Sequence, residues 1–142
     1  MPNSPLENFA LGVSGLTALG IGTAILANPP AFFTAYGIEV GEDASLLSEL
    51  RAPAAGLAAF GAVMLMGIWR PSLALVSRIT ALTVFLAFPA GRVVGMIADG
   101  LPSDAVLGAL AFELIVAVIC IVAFRRHFVR REAHVPRICV ER

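Results

Sequence analysis

The stretch AVLGALAFELIVAVICIVAF, Ala105 to Phe124, holds one charged side chain, Glu113, among otherwise apolar residues. About 20 such residues match the roughly 30 Å hydrocarbon core of a bilayer. Glycine and alanine throughout, with no strand-like alternation, predict a helix, since a spanning segment must satisfy its own backbone hydrogen bonds. The same reading finds three more runs, Phe9 to Ala27, Ala52 to Trp69 and Ile79 to Ala98. The expected fold is therefore all-α, a four-span transmembrane helix bundle forming one domain over residues 1–142. A basic tail, 125–142, follows the last span.

Composition points the same way. Of the 142 residues, 58% are hydrophobic and 14% charged, and the mean hydropathy is +0.88, whereas soluble domains average about 45–50% apolar and about 25% charged. Ten basic residues balance ten acidic ones, so nucleic acid is not an expected partner. Every basic residue is Arg, and the lack of Lys removes Schiff-base chemistry. Cys120 lies in an apolar run and Cys139 in the charged tail, a placement that fits two plain thiols. No metal or other cofactor is expected.

The connections carry a charge code. Glu39, Glu42 and Asp43 lie between the first two spans, and Asp99 and Asp104 between the last two, while Arg70 and Arg78 flank the middle turn. Six arginines from Arg125 to Arg142 crowd the tail. Positive-inside then places the middle turn and both termini in the cytoplasm of a bacterial inner membrane, with the acidic connections outside. The N-terminal segment carries Glu7 and no basic residue, so the first span is expected to be retained rather than cleaved as a signal peptide.

Proline at Pro29 and Pro30 and glycine at Gly37 bound a predicted short helix between spans one and two, with Phe32, Phe33 and Tyr36 on one side. It reads as an interfacial aromatic anchor. Small residues recur at helix-packing spacing: Ser14, Ala18 and Gly22; Ala54, Ala58 and Ala62; Ala87, Gly91 and Gly95. Such stripes allow close backbone approach in lipid and serve as bundle seams or as contacts to a partner subunit or a second copy.

The charges inside the spans are the informative residues. With Arg78 at the cytoplasmic boundary, Arg92 lies about 20 Å further along its helix, in the outer half. Glu113 lies roughly 13 Å from the outer boundary on the next helix, and Glu49 and Arg51 mark the outer start of span two. Charges in hydrocarbon pair with one another, so Arg92 is expected to reach Glu113, with Glu49 and Arg51 completing the network at its mouth. Pro89 leaves the Phe85 carbonyl without its helical partner, and a kink there would open room beside Arg92.

Three uses of this set compete. It is a structural intramembrane ion-pair network; or Glu49, Arg51, Arg92 and Glu113 form a site for a small amphiphile or anion; or Glu113 is the proton carrier of an isomerase-type enzyme. His127 and His134 both lie in the tail, so neither can assist Glu113 within the bundle. The tail arginines Arg125, Arg126, Arg130 and Arg131 orient the last span and can hold anionic membrane lipid, while residues from Ala133 onward are expected to fray. The balance favours a non-enzymatic multi-pass protein, either an amphiphile binder or an accessory subunit.

The run Glu49-Leu50-Arg51-Ala52, then Gly56-Leu57, Gly91-Arg92, Gly95, Asp99-Gly100, Pro102 and Glu113, resembles the small bacterial four-helix membrane proteins of the domain of unknown function 4345 family. The resemblance covers nearly the whole chain and implies a four-helix fold and a shared polar set, without an assigned activity or substrate. The chain departs from the pattern at Pro53, Ala54 and Ala55, where aromatic and glycine residues are expected.

Overall fold

A computed structural model describes residues 3–132, with side chains as far as Arg125. The described residues form five α-helices: α1 (Pro5–Ala27), α2 (Pro29–Thr34), α3 (Ala44–Trp69), α4 (Ala74–Asp99) and α5 (Asp104–Glu132). A short 3₁₀ turn, Pro71–Leu73, joins α3 to α4. No strand occurs among the described residues. Four helical stretches, of 23, 26, 29 and 22 residues, are long and apolar enough to cross a membrane.

The helices outrun the apolar runs because polar residues cap them. Ser4 accepts a hydrogen bond from the Glu7 N–H at 3.3 Å, and the Glu7 carboxylate accepts one from the Ser4 N–H at 2.8 Å, a capping box with Pro5 at the first helical position. At the other end of α1 the Asn28 side chain caps α2. Asp43 accepts from the Leu46 N–H at 2.8 Å, so α3 starts at Ala44, well before the expected Ala52. Gly100 ends α4 with φ of 96°, a conformation that favours glycine. His127 and the arginines beyond Arg125 fall outside the described side chains; Ala133 to Arg142, with His134 and Cys139, fall outside the described residues.

Around the bundle α1 lies against α3, α3 against α4, α4 against α5 and α5 against α1, while α3 and α5 stand on a diagonal with no close backbone approach among the described residues. The closest seam joins α1 to α3. A Cβ at Gly61 would lie 2.4 Å from the Leu19 backbone nitrogen, and one at Gly22 2.5 Å from that of Ala58. Ser14, Ala18 and Gly22 are buried, as is Ala54, but Ala62 is exposed and Gly61 takes its place in the seam. The third stripe faces outward: Ala87 and Gly91 are exposed, and added Cβ atoms at Gly91 and Gly95 would meet nothing within 4 Å. That stripe is not a seam of this bundle.

Packing differs between the two ends. Arg70 and Arg78 mark a basic end, and the α2–α3 and α4–α5 connections an acidic end. Toward the basic end the core is filled by Leu11, Met64, Val116, Cys120 and Phe124, all under 2% exposed. Ser77 of α4 donates to the Val63 carbonyl of α3 at 2.6 Å, in a space left by Gly67. Cys120 of α5 is a free, fully buried thiol, and Ser14 of α1, also fully buried, donates to the Ala10 carbonyl at 2.7 Å. Toward the acidic end the helices leave a void.

Candidate functional site

That void is a cavity of about 680 Å³, within the roughly 300–1,000 Å³ typical of small-molecule sites. Its wall is mostly apolar: Thr17, Ile21 and Ile25 of α1, Leu50, Pro53 and Leu57 of α3, Val84, Phe85 and Phe88 of α4, and Val106, Ala109 and Phe112 of α5. Phe88 lies on the core-facing side of α4 yet is 44% exposed, because the cavity rather than another side chain stands beside it.

Two helix-interior prolines sit at this depth, Pro53 in α3 and Pro89 in α4. Each removes one intrahelical donor, freeing the carbonyls of Glu49 and Phe85. Both helices run unbroken through their prolines.

The charged residues of the wall are Arg92 and Glu113. They meet as α4 and α5 pack: Arg92 Nε lies 3.2 and 3.0 Å from the two carboxylate oxygens of Glu113, and Nη2 lies 3.0 Å from Oε1. The fork-to-fork geometry fixes both groups and satisfies the carboxylate. Glu113 is the more enclosed partner, its side chain 11% exposed against 31% for Arg92. Arg92 Nη1 and the second N–H of Nη2 hold no partner among the described residues.

Glu49 and Arg51 do not join this pair. Because α3 begins early, they lie within its second turn: Glu49 is exposed, and Arg51 turns to α1, donating from Nε to the Leu26 carbonyl at 3.2 Å. Leu26 is in the last turn of α1, where carbonyls lack helical donors, so Arg51 satisfies a helix end. Neither residue lines the cavity.

The aromatic residues of the α2 region face the cavity and not only the bundle's surroundings. Phe32, Phe33 and Tyr36 are half-buried, line the wall and pack on one another, with ring centroids 5.5 Å apart for Phe32–Phe33 and 5.2 Å for Phe32–Tyr36. The Ser103 hydroxyl donates to the Tyr36 carbonyl at 2.9 Å, tying this segment to the α4–α5 turn. Their side-on grouping at spacings of three and four was legible; their inward aim depends on the α1–α2 corner at Asn28.

A second ion pair lies at the basic end and was not anticipated. Arg78 donates from Nη2 to Glu7 at 3.4 Å and to Asn3 Oδ1 at 2.5 Å, and Asn3 Nδ2 donates to the Gly67 carbonyl at 2.8 Å. Glu7 and Arg78 are both buried. The Ser4-x-x-Glu7 capping signature was the available clue, but it places Glu7 only in a helix start, not opposite α4.

Residues 6–124 match the family model described as domain of unknown function (DUF4345), so the chain belongs to that family. No curated protein and no solved structure matches.

Proposed function

We propose that this member of the domain of unknown function 4345 family is a multi-pass bacterial inner-membrane protein that binds a small amphiphile between its helices. The acidic end faces outward and both termini lie in the cytoplasm, as positive-inside asks of Arg70, Arg78 and the tail arginines. The observation that carries the reading is an apolar cavity of about 680 Å³ with one bidentate Arg–Glu pair in its wall. Orienting polar groups that are few and fixed within an apolar enclosure are the usual makings of a small-molecule site.

The pair also selects the head group. Arg92 and Glu113 cancel in charge, so an anionic head would leave one uncompensated charge in a low-dielectric wall, at a cost of several kcal/mol. An uncharged head with an acceptor oxygen, such as an alcohol or a carbonyl, instead takes the spare N–H groups of Arg92 and leaves the balance intact. Glu49 and Arg51 have no part in this binding.

Intact-mass spectrometry after mild extraction with native lipids tests the reading. The wild type retains a neutral amphiphile, and a folded Arg92→Leu/Glu113→Leu variant loses it; equal retention by both overturns the proposal. A second reading, an isomerase-type enzyme, rests on Glu113 lining the same cavity. It requires Glu113 to exchange Arg92 for substrate, and turnover surviving in Glu113→Gln dismisses it.

A further inference from the structure

The cavity has a side opening. By helical periodicity, Gly15, Leu19 and Gly22 face α3, whereas Thr17 and Ile21 lie on the flank toward α5 and Leu16 and Gly20 lie further round, away from the core. Leu16 and Gly20 nevertheless line the cavity, although Leu16 is 64% exposed and Gly20 is also exposed. Across from them Phe112 of α5, 46% exposed, lines the same space with Ala109. Toward the basic end Ser14 of α1 and Cys120 of α5 are both fully buried; toward the acidic end Gly20 and Ala109 line the cavity instead. The rim is therefore apolar and set in the side of the bundle, at helix positions that lie within the hydrocarbon if these helices span a bilayer.

We infer that the ligand is an amphiphile already dissolved in the bilayer, and that it reaches the Arg92–Glu113 pair sideways through the opening between α1 and α5 bounded by Leu16, Gly20, Ala109 and Phe112. This rests on the cavity reading above and adds the source of the ligand and the residues that admit it. A water-borne ligand would instead approach from the acidic end, where Phe32, Phe33 and Tyr36 and the Ser103 bond stand over the cavity. A bilayer-dissolved tail exchanges lipid contacts for protein contacts of similar polarity. Binding referred to mole fraction in the bilayer then depends on the head group and little on tail length.

The test uses the full chain in phosphatidylcholine vesicles and hexadecanol bearing a diazirine in its tail, with the rate of light-dependent labelling as readout. A Cβ at Gly20 meets no atom within 4 Å, so Gly20→Trp can fill the opening while leaving the α1–α3 seam and the ion pair untouched. Labelling of wild-type cavity peptides is expected to slow at least about tenfold in Gly20→Trp and to quicken in Phe112→Ala. Should Gly20→Trp fail to fold, the Phe112→Ala rate decides alone. Wild-type labelling in the cavity with unchanged rates in the rim variants overturns the lateral route and leaves the binding site standing. Absence of cavity labelling in the wild type overturns both.

Discussion

The carboxylate of Glu7 lies 3.4 Å from the guanidinium of Arg78, both side chains buried at the end of the bundle opposite the cavity. The pair, with Asn3 on Gly67, ties the start of α1 to α3 and α4 where the core is filled. One ion pair thus secures the packed end, and another stands in the wall of the open end.

Removing Arg78 takes the cationic partner from a buried carboxylate that still accepts from the Ser4 N–H. Arg78→Met is expected to lower unfolding free energy by about 3–5 kcal/mol in detergent micelles. The Glu7→Met/Arg78→Met double variant should recover all but roughly 1 kcal/mol, the residue being the lost capping box. A double variant no better than the single one contradicts this.

The glycines of α1 and α3 differ from those of α4. At Gly61 the added methyl meets backbone, which cannot yield cheaply, so Gly61→Ala is expected to cost about 1–3 kcal/mol. Gly91→Ala faces open space and should be neutral or stabilise by up to about 1 kcal/mol. Thermal unfolding of the two variants side by side checks the seam.

Arg92→Leu leaves Glu113 without its partner, but Arg92 is partly exposed, so the expected loss is about 2 kcal/mol, less than at Arg78. Arg92→Leu/Glu113→Leu should restore stability. The same unfolding assay reads both.

Arg51→Met removes the donor to Leu26 and is expected to cost about 1 kcal/mol without altering ligand affinity. Glu49→Gln should change neither. Loss of binding in either variant would return these residues to the site.

Hydropathy located all four long helices because the need to satisfy backbone hydrogen bonds in hydrocarbon leaves a spanning segment few alternatives. The meeting of Arg92 and Glu113 was likewise legible, since two opposite charges at matching depth on successive helices have few other partners. Lateral relations were not. That Gly61 and not Ala62 enters the α1–α3 seam depends on helix rotation, and that Arg51 caps α1 depends on α3 starting at Asp43, a cap in a polar segment that hydropathy passes over. The cavity itself is a mismatch between side-chain volume and helix separation, which no spacing in the sequence expresses.

The most direct test is equilibrium binding of labelled hexadecanol, palmitate and hexadecyltrimethylammonium to the vesicle-embedded chain. Hydrogen bonds from a charged donor contribute about 1.5–3 kcal/mol, so hexadecanol should bind one to one and lose roughly ten- to a hundredfold in affinity in Arg92→Leu/Glu113→Leu, with both ionic analogues binding more weakly to the wild type. Hexadecanol affinity unchanged by that double substitution, or palmitate bound more tightly than the alcohol, would contradict the claim that the neutral Arg92–Glu113 pair holds the head group.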